Sequence, residues 1–243
     1  MTKPLALVTG GAQRLGKAFS LTLARMGYDL LLHYHSAEEQ AQKTKEEIES
    51  LGVEVHLVNA DLTQPDQIHS LFSELDLLIP HAKRSFLILV NSAAIMPVGT
   101  PRDLELSDWD SALDLNLRAP FVLAQQAAKR MTAGGLIVNI TDIGAQKAWS
   151  RYPSYTVSKA GLESLTKLLA RALAPNIRVN AIAPGLVLPS DVVTKEQWDK
   201  LVGKLPLKRA ATLDEITSTL QFLINNEYIT GQTIVVDGGY SLI

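Results

Sequence analysis

Short, continuously apolar runs alternate along the chain with longer stretches in which apolar positions recur every three or four residues. The runs at 5–9, 28–34, 53–59, 86–90, 135–141, 177–183 and 233–237 have the length and the Val/Ile/Leu content of strands buried on both faces. Between them lie helical faces: Ala18, Leu21, Leu23, Ala24 and Met26; Ile68, Leu71, Phe72 and Leu75 within 64–75; Leu162, Leu165, Leu168, Leu169 and Leu173 after Pro153 and Ser154, which suit a helix start. Further helices are expected over 37–51, over 108–131 with a bend near Pro120, and over 213–225. The stretch 186–209 is irregular apart from a short helix around 196–202, and its position suits a substrate lid. Links are short, with no repeat or low-complexity tract. Strand–helix alternation of this kind predicts α/β architecture, one domain over 1–243, with a doubly wound parallel sheet of about seven strands and helices on both faces.

Sheets of that kind bind ligands beyond the carboxyl ends of their strands. Residues suited to binding gather at those places. Gly10, Arg14, Leu15 and Gly16 form a turn between the first strand and its helix, where glycines let backbone N–H groups approach a pyrophosphate at the helix N-terminus, as in a Rossmann-like fold. A tight turn also requires glycine for its own sake, so the turn alone is weak. Asp61 and Leu62 follow the third strand, Asn91, Ser92 and Ala93 end the fourth, and Pro184, Gly185 and Leu186 stop the sixth. An NAD site places an acid about 20 residues beyond the glycines to hold the ribose hydroxyls. Gly16 plus 20 is Ser36, and no acid lies between Leu30 and Ala37. Tyr34, His35 and Ser36 can instead donate hydrogen bonds to a 2′-phosphate, which points to NADP; the alternative is a solvated loop.

Asp142 stands at the end of the fifth strand, thirteen residues before Tyr155. Tyr155 and Lys159 are four apart, so on a helix they stack on one face. A lysine there is expected to lower the pKa of the phenol and suit it to proton transfer. The competing reading is a solvated pair on an amphipathic helix, with Asp142 a helix-capping acid.

Composition narrows the picture. Of 243 residues, 47% are apolar and 20% charged, and the net charge is -2, so no basic field for nucleic acid is implied. There is no cysteine, which excludes disulfides and thiolate metal sites and fits a reducing cytoplasm. No run approaches a membrane span, and the chain enters a strand-like run at once without a signal peptide. His33, His35, His56, His69 and His81 lack metal-site spacing, so no metal is expected. The sequon at Asn139 falls in a buried strand and is set aside.

Thr9, Gly10 and Gly16, Asn91 with Ala93, Asn116, Tyr155-x-x-x-Lys159, Pro184-Gly185 and Asp237-Gly238-Gly239 together resemble the short-chain dehydrogenase/reductases over essentially the whole chain. The resemblance implies that Tyr155 donates or accepts a proton, that Lys159 holds the nicotinamide ribose and tunes Tyr155, and that Asn116 supports a water-linked proton path. It also implies a homodimer or homotetramer. Two departures, Arg14 for a glycine and Asp142 for the family's serine, are similar to the pteridine reductase branch, as are 33–36 and the ending 228–242. In that branch the arginine lies near cofactor phosphate and substrate, and the aspartate partners the tyrosine in proton delivery. A third departure runs the other way: Met96 stands where the branch carries a ring against the pterin, and Ala94 where it carries a serine.

The reaction class implied is hydride transfer from NADPH to C=N or C=O of a small-molecule substrate held by Arg14, Met96, Asp142 and Tyr155. An ionised Asp142 would repel a developing oxyanion, whereas a protonated or water-linked one could donate toward a ring nitrogen, so a dihydropterin-like C=N is favoured. The alternatives are a carbonyl reductase, for example of 3-oxoacyl thioesters, and an NADP-sensing binding protein, which would have no need of Tyr155.

Overall fold

The computed structural model describes residues 3–82, 85–131, 134–190 and 193–243. Its strands are β1 Leu5–Thr9, β2 Asp29–Tyr34, β3 Val55–Asn59, β4 Phe86–Asn91, β5 Gly135–Ile140, β6 Ile177–Pro184 and β7 Thr233–Val236. They form one parallel sheet in the order β3-β2-β1-β4-β5-β6-β7. The helices are α1 Arg14–Arg25, α2 Glu38–Glu49, α3 Pro65–Ala82, α4 Leu106–Leu113, α5 Ala119–Ala128, α6 Pro153–Leu173, α7 Lys195–Val202 and α8 Leu213–Asn225. Strand side chains alternate between two cores. Leu5, Leu7 and Leu31 join Phe72, Leu123 and Leu169 on the face covered by α3, α5 and α6. Ala6, Val8, Leu30 and Leu32 join Phe19, Ile48 and Leu220 under α1, α2 and α8. A strand with both faces covered has no polar face to show, which is why these runs are continuously apolar. Among the described residues no helix is long and apolar enough to cross a membrane.

Several expected boundaries move, each for a local reason. The helix after Gln64 runs on to Ala82, because Leu78 continues its apolar period and packs against the core. The single helix expected over 108–131 is divided into α4, a π-helical turn at Asp114–Arg118, and α5. The irregularity lies ahead of Pro120 and includes Asn116. Pro120 has no N–H to donate to the carbonyl four residues back, so the α-helical ladder fails at Asn116. Leu168, grouped with the buried face of α6, is 60% exposed, while Leu162 and Leu169 on either side of it point inward. The irregular segment 186–209 holds α7 as expected, though residues 191 and 192 lie outside the described residues.

The strand ends are level where the sheet reverses direction. Thr9, Asn91, Asn139 and Ala181 are register partners across β1, β4, β5 and β6. Asn91 donates its amide to Asn139 at 2.8 Å, Asn139 donates to the Thr166 hydroxyl at 2.9 Å, and Thr166 donates to the Leu162 carbonyl at 2.8 Å. This buried chain ties β4 and β5 to α6. Asn139 is fully buried, which removes it as a glycosylation acceptor. Truncation of Asn139 to Ala strands polar groups on both sides, and the expected loss is about 1–3 kcal/mol of stability. Urea unfolding checks it: an unchanged midpoint would show the chain to be energetically idle.

Candidate active site

The glycine-rich turn is shaped by contacts that only glycine permits. Gly10 has φ +62, and a Cβ there would lie 3.0 Å from the Ala93 backbone. A Cβ on Gly16 would collide with the Gly10 carbonyl. Arg14 is a non-glycine residue in the same left-handed region, φ +51, at a cost of roughly 1–2 kcal/mol. Its guanidinium is tied down, donating to the Leu188 and Pro189 carbonyls at 3.2 and 3.0 Å. The arginine thus joins the turn to the segment that leads into α7. No side chain caps α1 and no acid lies in its first turn. Its free N–H groups and dipole suit an anion, and a pyrophosphate fits this cradle.

Two residues beyond the expected set hold the turn in place. His33 is buried; its Nδ1 accepts the Gly10 N–H at 3.0 Å, and its Nε2 donates to the Ala60 carbonyl at 2.9 Å. Burial lowers its pKa to about 4, so the ring is neutral and one tautomer is enforced. Thr9 Oγ1 accepts the N–H groups of Ser92 and Ala93 at 3.0 and 3.1 Å, pinning the end of β4 to β1. Both carried a sequence signal, Thr9 in the motif it forms with Gly10 and Gly16 and His33 in the stretch 33–36, but neither signal showed what the side chain would bind.

The other expected cofactor residues lie at or just beyond the carboxyl ends of β2, β3, β4 and β6. Tyr34 ends β2, and His35 and Ser36 follow it, both exposed. Asp61 stands two residues beyond β3, and Thr63 donates to its carboxylate through backbone and hydroxyl at 2.9 and 2.7 Å. Burial pushes its pKa up, but these hydrogen bonds outweigh that and hold it lowered. Leu62 is buried in the core beside it. Asn91 Oδ1 is buried with no hydrogen-bond partner among the described residues, an acceptor left open at the end of β4. On the far side, Gly185 lies so close to Asp237 that a Cβ would approach its Cα at 2.7 Å.

Asp142, Tyr155 and Lys159 meet at the end of β5. Asp142 starts a 3₁₀ turn, Ile143–Ala145, and its Oδ1 accepts the Gly144 N–H at 2.6 Å. Its Oδ2 accepts the Tyr155 hydroxyl at 2.9 Å. The capping role and the partnership with Tyr155 therefore coexist on two oxygens. Burial raises the Asp142 pKa, partly offset by the bonds from Gly144 and Tyr155 and the charge of Lys159. Burial first, then the Asp142 charge and hydrogen bond, push the Tyr155 phenol well above its ordinary value. This corrects the expectation that Lys159 lowers it. Lys159 Nζ instead donates to the Ile140 carbonyl at 2.7 Å and sits 5.6 Å from the Tyr155 ring centroid; burial lowers its pKa to about 8. A neutral phenol between a carboxylate and an ammonium can pass a proton without itself carrying charge.

Asn116 stands behind this set. Its amide pairs with both backbone groups of Ile95, at 3.0 and 2.8 Å, and donates to Ser158 Oγ at 3.0 Å. These contacts fix the loop after β4 to α6; none of them is to Tyr155 or Lys159. Met96 follows in that loop and is partly exposed. Rings come from elsewhere. Trp149 packs on Gly144 beside Asp142, its ring centroid 6.3 Å from that of Tyr152 and 6.2 Å from that of Tyr240. Lys147 Nζ sits 4.8 Å from the Tyr240 ring centroid and donates to the Tyr240 carbonyl, holding the 238–242 region against the site.

A glycine cradle at the reversal of a parallel sheet, facing a tyrosine and a lysine one helical turn apart, defines a dinucleotide-binding oxidoreductase. The family model described as enoyl-(acyl carrier protein) reductase matches residues 10–241. A 3-oxoacyl-[acyl-carrier-protein] reductase, FabG, of Staphylococcus epidermidis is 32% identical over 241 residues, covering 96% of this chain and 97% of that protein. The solved FolM alternative dihydrofolate reductase 1 of Brucella suis, in complex with NADP, is 36% identical with a TM-score of 0.87, covering 99% and 96% of the two chains. A blue fluorescent protein from a metagenomic library, in complex with NADPH, is 30% identical with a TM-score of 0.91, covering 99% and 98%. The chain belongs to the short-chain dehydrogenase/reductase family.

His33 gives this site an acid limit. Its folded pKa lies below its unfolded value, so its contribution to stability is complete above about pH 6.5 and is lost as pH falls toward about 4, on the order of 3 kcal/mol in all. His33→Leu is expected to flatten that part of the stability–pH curve. It is also expected to weaken NADPH binding several-fold by stranding the Gly10 N–H. Unfolding between pH 4 and 7, and a fluorescence titration of NADPH, measure the two effects.

Proposed function

We propose that the protein is an NADPH-dependent reductase that delivers hydride to a C=N bond of a dihydropterin-like substrate. The carrying observation is the Asp142 carboxylate 2.9 Å from the Tyr155 hydroxyl, at the position where ordinary members of the family place a serine. NADPH, when bound, supplies the hydride. The 10–16 turn and the start of α1 would hold its pyrophosphate, and Tyr34, His35 and Ser36 its 2′-phosphate. Asp61, Leu62, Asn91, Ser92 and Ala93 would line its adenosine and ribose side. Lys159 and the 184–186 corner would face the nicotinamide half.

The reduced nitrogen needs one proton. If Tyr155 gave it alone, a phenolate would be left buried beside a carboxylate, which burial and charge both oppose. Asp142, with its raised pKa, is the better store. Tyr155 gives its hydroxyl proton to the substrate nitrogen as a protonated Asp142 Oδ2 gives its own to the phenol oxygen. Tyr155 ends neutral, Asp142 ends ionised, and Lys159 balances the new charge. A ketone would develop an oxyanion that ionised Asp142 repels, whereas a serine would donate to it. The similarity to the Brucella alternative dihydrofolate reductase supports this reading. So do the Trp149 and Tyr240 rings beside Asp142, which offer planar contact that Met96 cannot. A second reading, reduction of a 3-oxoacyl thioester, draws on the 32% identical acyl-carrier-protein reductase.

NADPH oxidation measured with dihydrobiopterin, dihydrofolate, quinonoid dihydropterin and an acetoacetyl thioester separates the two. The pterins are expected to turn over faster, and a preference for the thioester would overturn the proposal. Tyr155→Phe is expected to lower turnover by ~10²–10⁴-fold with NADPH affinity nearly intact.

Asp142→Ser is expected to lower pterin turnover and raise ketone turnover. Wild-type activity requires protonated Asp142, so it falls as pH rises through the raised apparent pKa of the coupled set. The serine variant loses that limb, and the fall that follows loss of the Lys159 charge moves below its parental value of about 8, because the Asp142 charge that raises it is gone. Pterin and ketone rates that were both indifferent to this change would reduce Asp142 to a strand-end cap. At the cofactor end, Ser36→Asp should weaken NADPH relative to NADH by setting a charge against the 2′-phosphate. Equal parental affinity for both cofactors would refute that assignment.

A further inference from the structure

A cavity of about 360 Å³ opens between the loop after β4, the residues leading into α6 and the helix α7, with Tyr152 on its wall three residues before Tyr155. Three cations line it, Arg151, Lys200 and Lys204, around an apolar floor that includes Val98, Tyr152 and Leu201. No acidic residue lines it among the described residues, although the chain as a whole has net charge -2. None of the three cations has an ion-pair partner among the described residues, while other lysines and arginines, such as Lys17, Lys43 and Arg130, do. The arrangement follows from helical spacing. Gln197, Lys200 and Leu201 present one face of α7 to the cavity, Lys204 joins them from the turn after the helix, and the acids Glu196 and Asp199 fall outside it. α7 buries none of its residues, so the face is available. The opposite wall is fixed: the Gly99 N–H donates to the Arg151 carbonyl at 3.1 Å, and Tyr152 caps α6, whose first turn carries Tyr155.

We propose that this cavity is a subsite for the anionic tail of the substrate, carboxylate or phosphate, reaching from the reacting ring or carbonyl at Tyr155 across Tyr152 to Arg151, Lys200 and Lys204. The inference rests on the assignment of Asp142 and Tyr155 as the reacting end. Its chemistry is shared by two sources: the carboxylates of a glutamyl tail, as on dihydrofolate, and the phosphates of a coenzyme A thioester. Attraction to exposed cations is screened, so tail recognition is salt-dependent.

The test uses the protein saturated with NADP and two probes that carry a tail without a reacting group, p-aminobenzoylglutamate and coenzyme A. Their affinities are measured by calorimetry in the parent and in Lys200→Glu/Lys204→Glu. At least one probe is expected to bind, more weakly at 0.5 M salt than at ~0.05 M, and about tenfold more weakly to the double variant. The KM for dihydrofolate is expected to rise by a similar factor relative to that for tail-less dihydrobiopterin. Binding of p-aminobenzoylglutamate alone assigns the subsite to carboxylates, and binding of coenzyme A alone assigns it to phosphates. Charge-dependent probe binding with no turnover of either pterin would sink the pterin reading and leave the subsite standing. If probe affinities and the dihydrofolate KM are both unmoved by the double charge reversal, the subsite does not exist.

Discussion

The Asp142 carboxylate is bound at both oxygens, by the Gly144 N–H at 2.6 Å and by the Tyr155 hydroxyl at 2.9 Å, and the arrangement of the site depends on that double attachment. The first bond sets the turn leaving β5 and so places the Trp149 ring on Gly144. The second orients the phenol from the first turn of α6. A buried carboxylate is costly unless it is paired or protonated, and here the two remedies compete. Lys159 offers partial pairing, but its ammonium is committed to the Ile140 carbonyl and is itself buried. The carboxyl therefore rests closer to protonation than an exposed aspartate, and the phenol is held neutral.

That balance requires a scaffold that does not shift. The level strand ends provide it, because Thr9, Asn91 and Asn139 are each fixed by side-chain hydrogen bonds as well as by the ladder. α6 is held from two sides, through Thr166 against Asn139 and through Ser158 against Asn116. The π-helical turn at Asp114–Arg118 includes Asn116, whose amide reaches both Ile95 and Ser158. Substituting a residue that cannot make all three of these bonds would release the loop after β4 and α6 together.

Much of this was legible in the amino-acid order. Continuous apolar runs such as Leu5–Thr9 and the 3.6-residue period of Leu213–Asn225 translate directly into elements, since both are consequences of which faces are covered. The strand-end residues could be collected because a parallel sheet aligns them. What could not be read was anything requiring distance between side chains. Nothing local shows that His33 reaches Gly10, or that Asn116 spends its amide on Ile95 and Ser158. The effect of Lys159 on Tyr155 was misjudged because sequence spacing does not report burial. Four-residue separation brings the two onto one face, but desolvation and the Asp142 charge outweigh the lysine. The cluster of rings around Trp149, which packs on Gly144, draws on positions 149, 152 and 240, a grouping that sequence order does not display.

Arg14 links the glycine-rich turn to the segment after β6. A residue with a side chain in a left-handed turn is tolerated only when surrounding contacts over-determine it. Here those contacts are the Leu188 and Pro189 carbonyls, which belong to the segment leading into α7. Farther along, the same segment is anchored again: the Ala211 N–H donates to the Leu186 carbonyl, the Leu207 N–H to the Gly238 carbonyl, and Pro206 packs on Gly239. α7 thus lies between two fixed points with none of its own residues buried. Movement of the segment at its near end must break the Arg14 bonds, and breaking them removes what holds the glycine-rich turn in its strained form. The glycine-rich turn and the segment leading into α7 are therefore joined through one guanidinium. A glycine at position 14 would take the same backbone angles without strain and could not make that link.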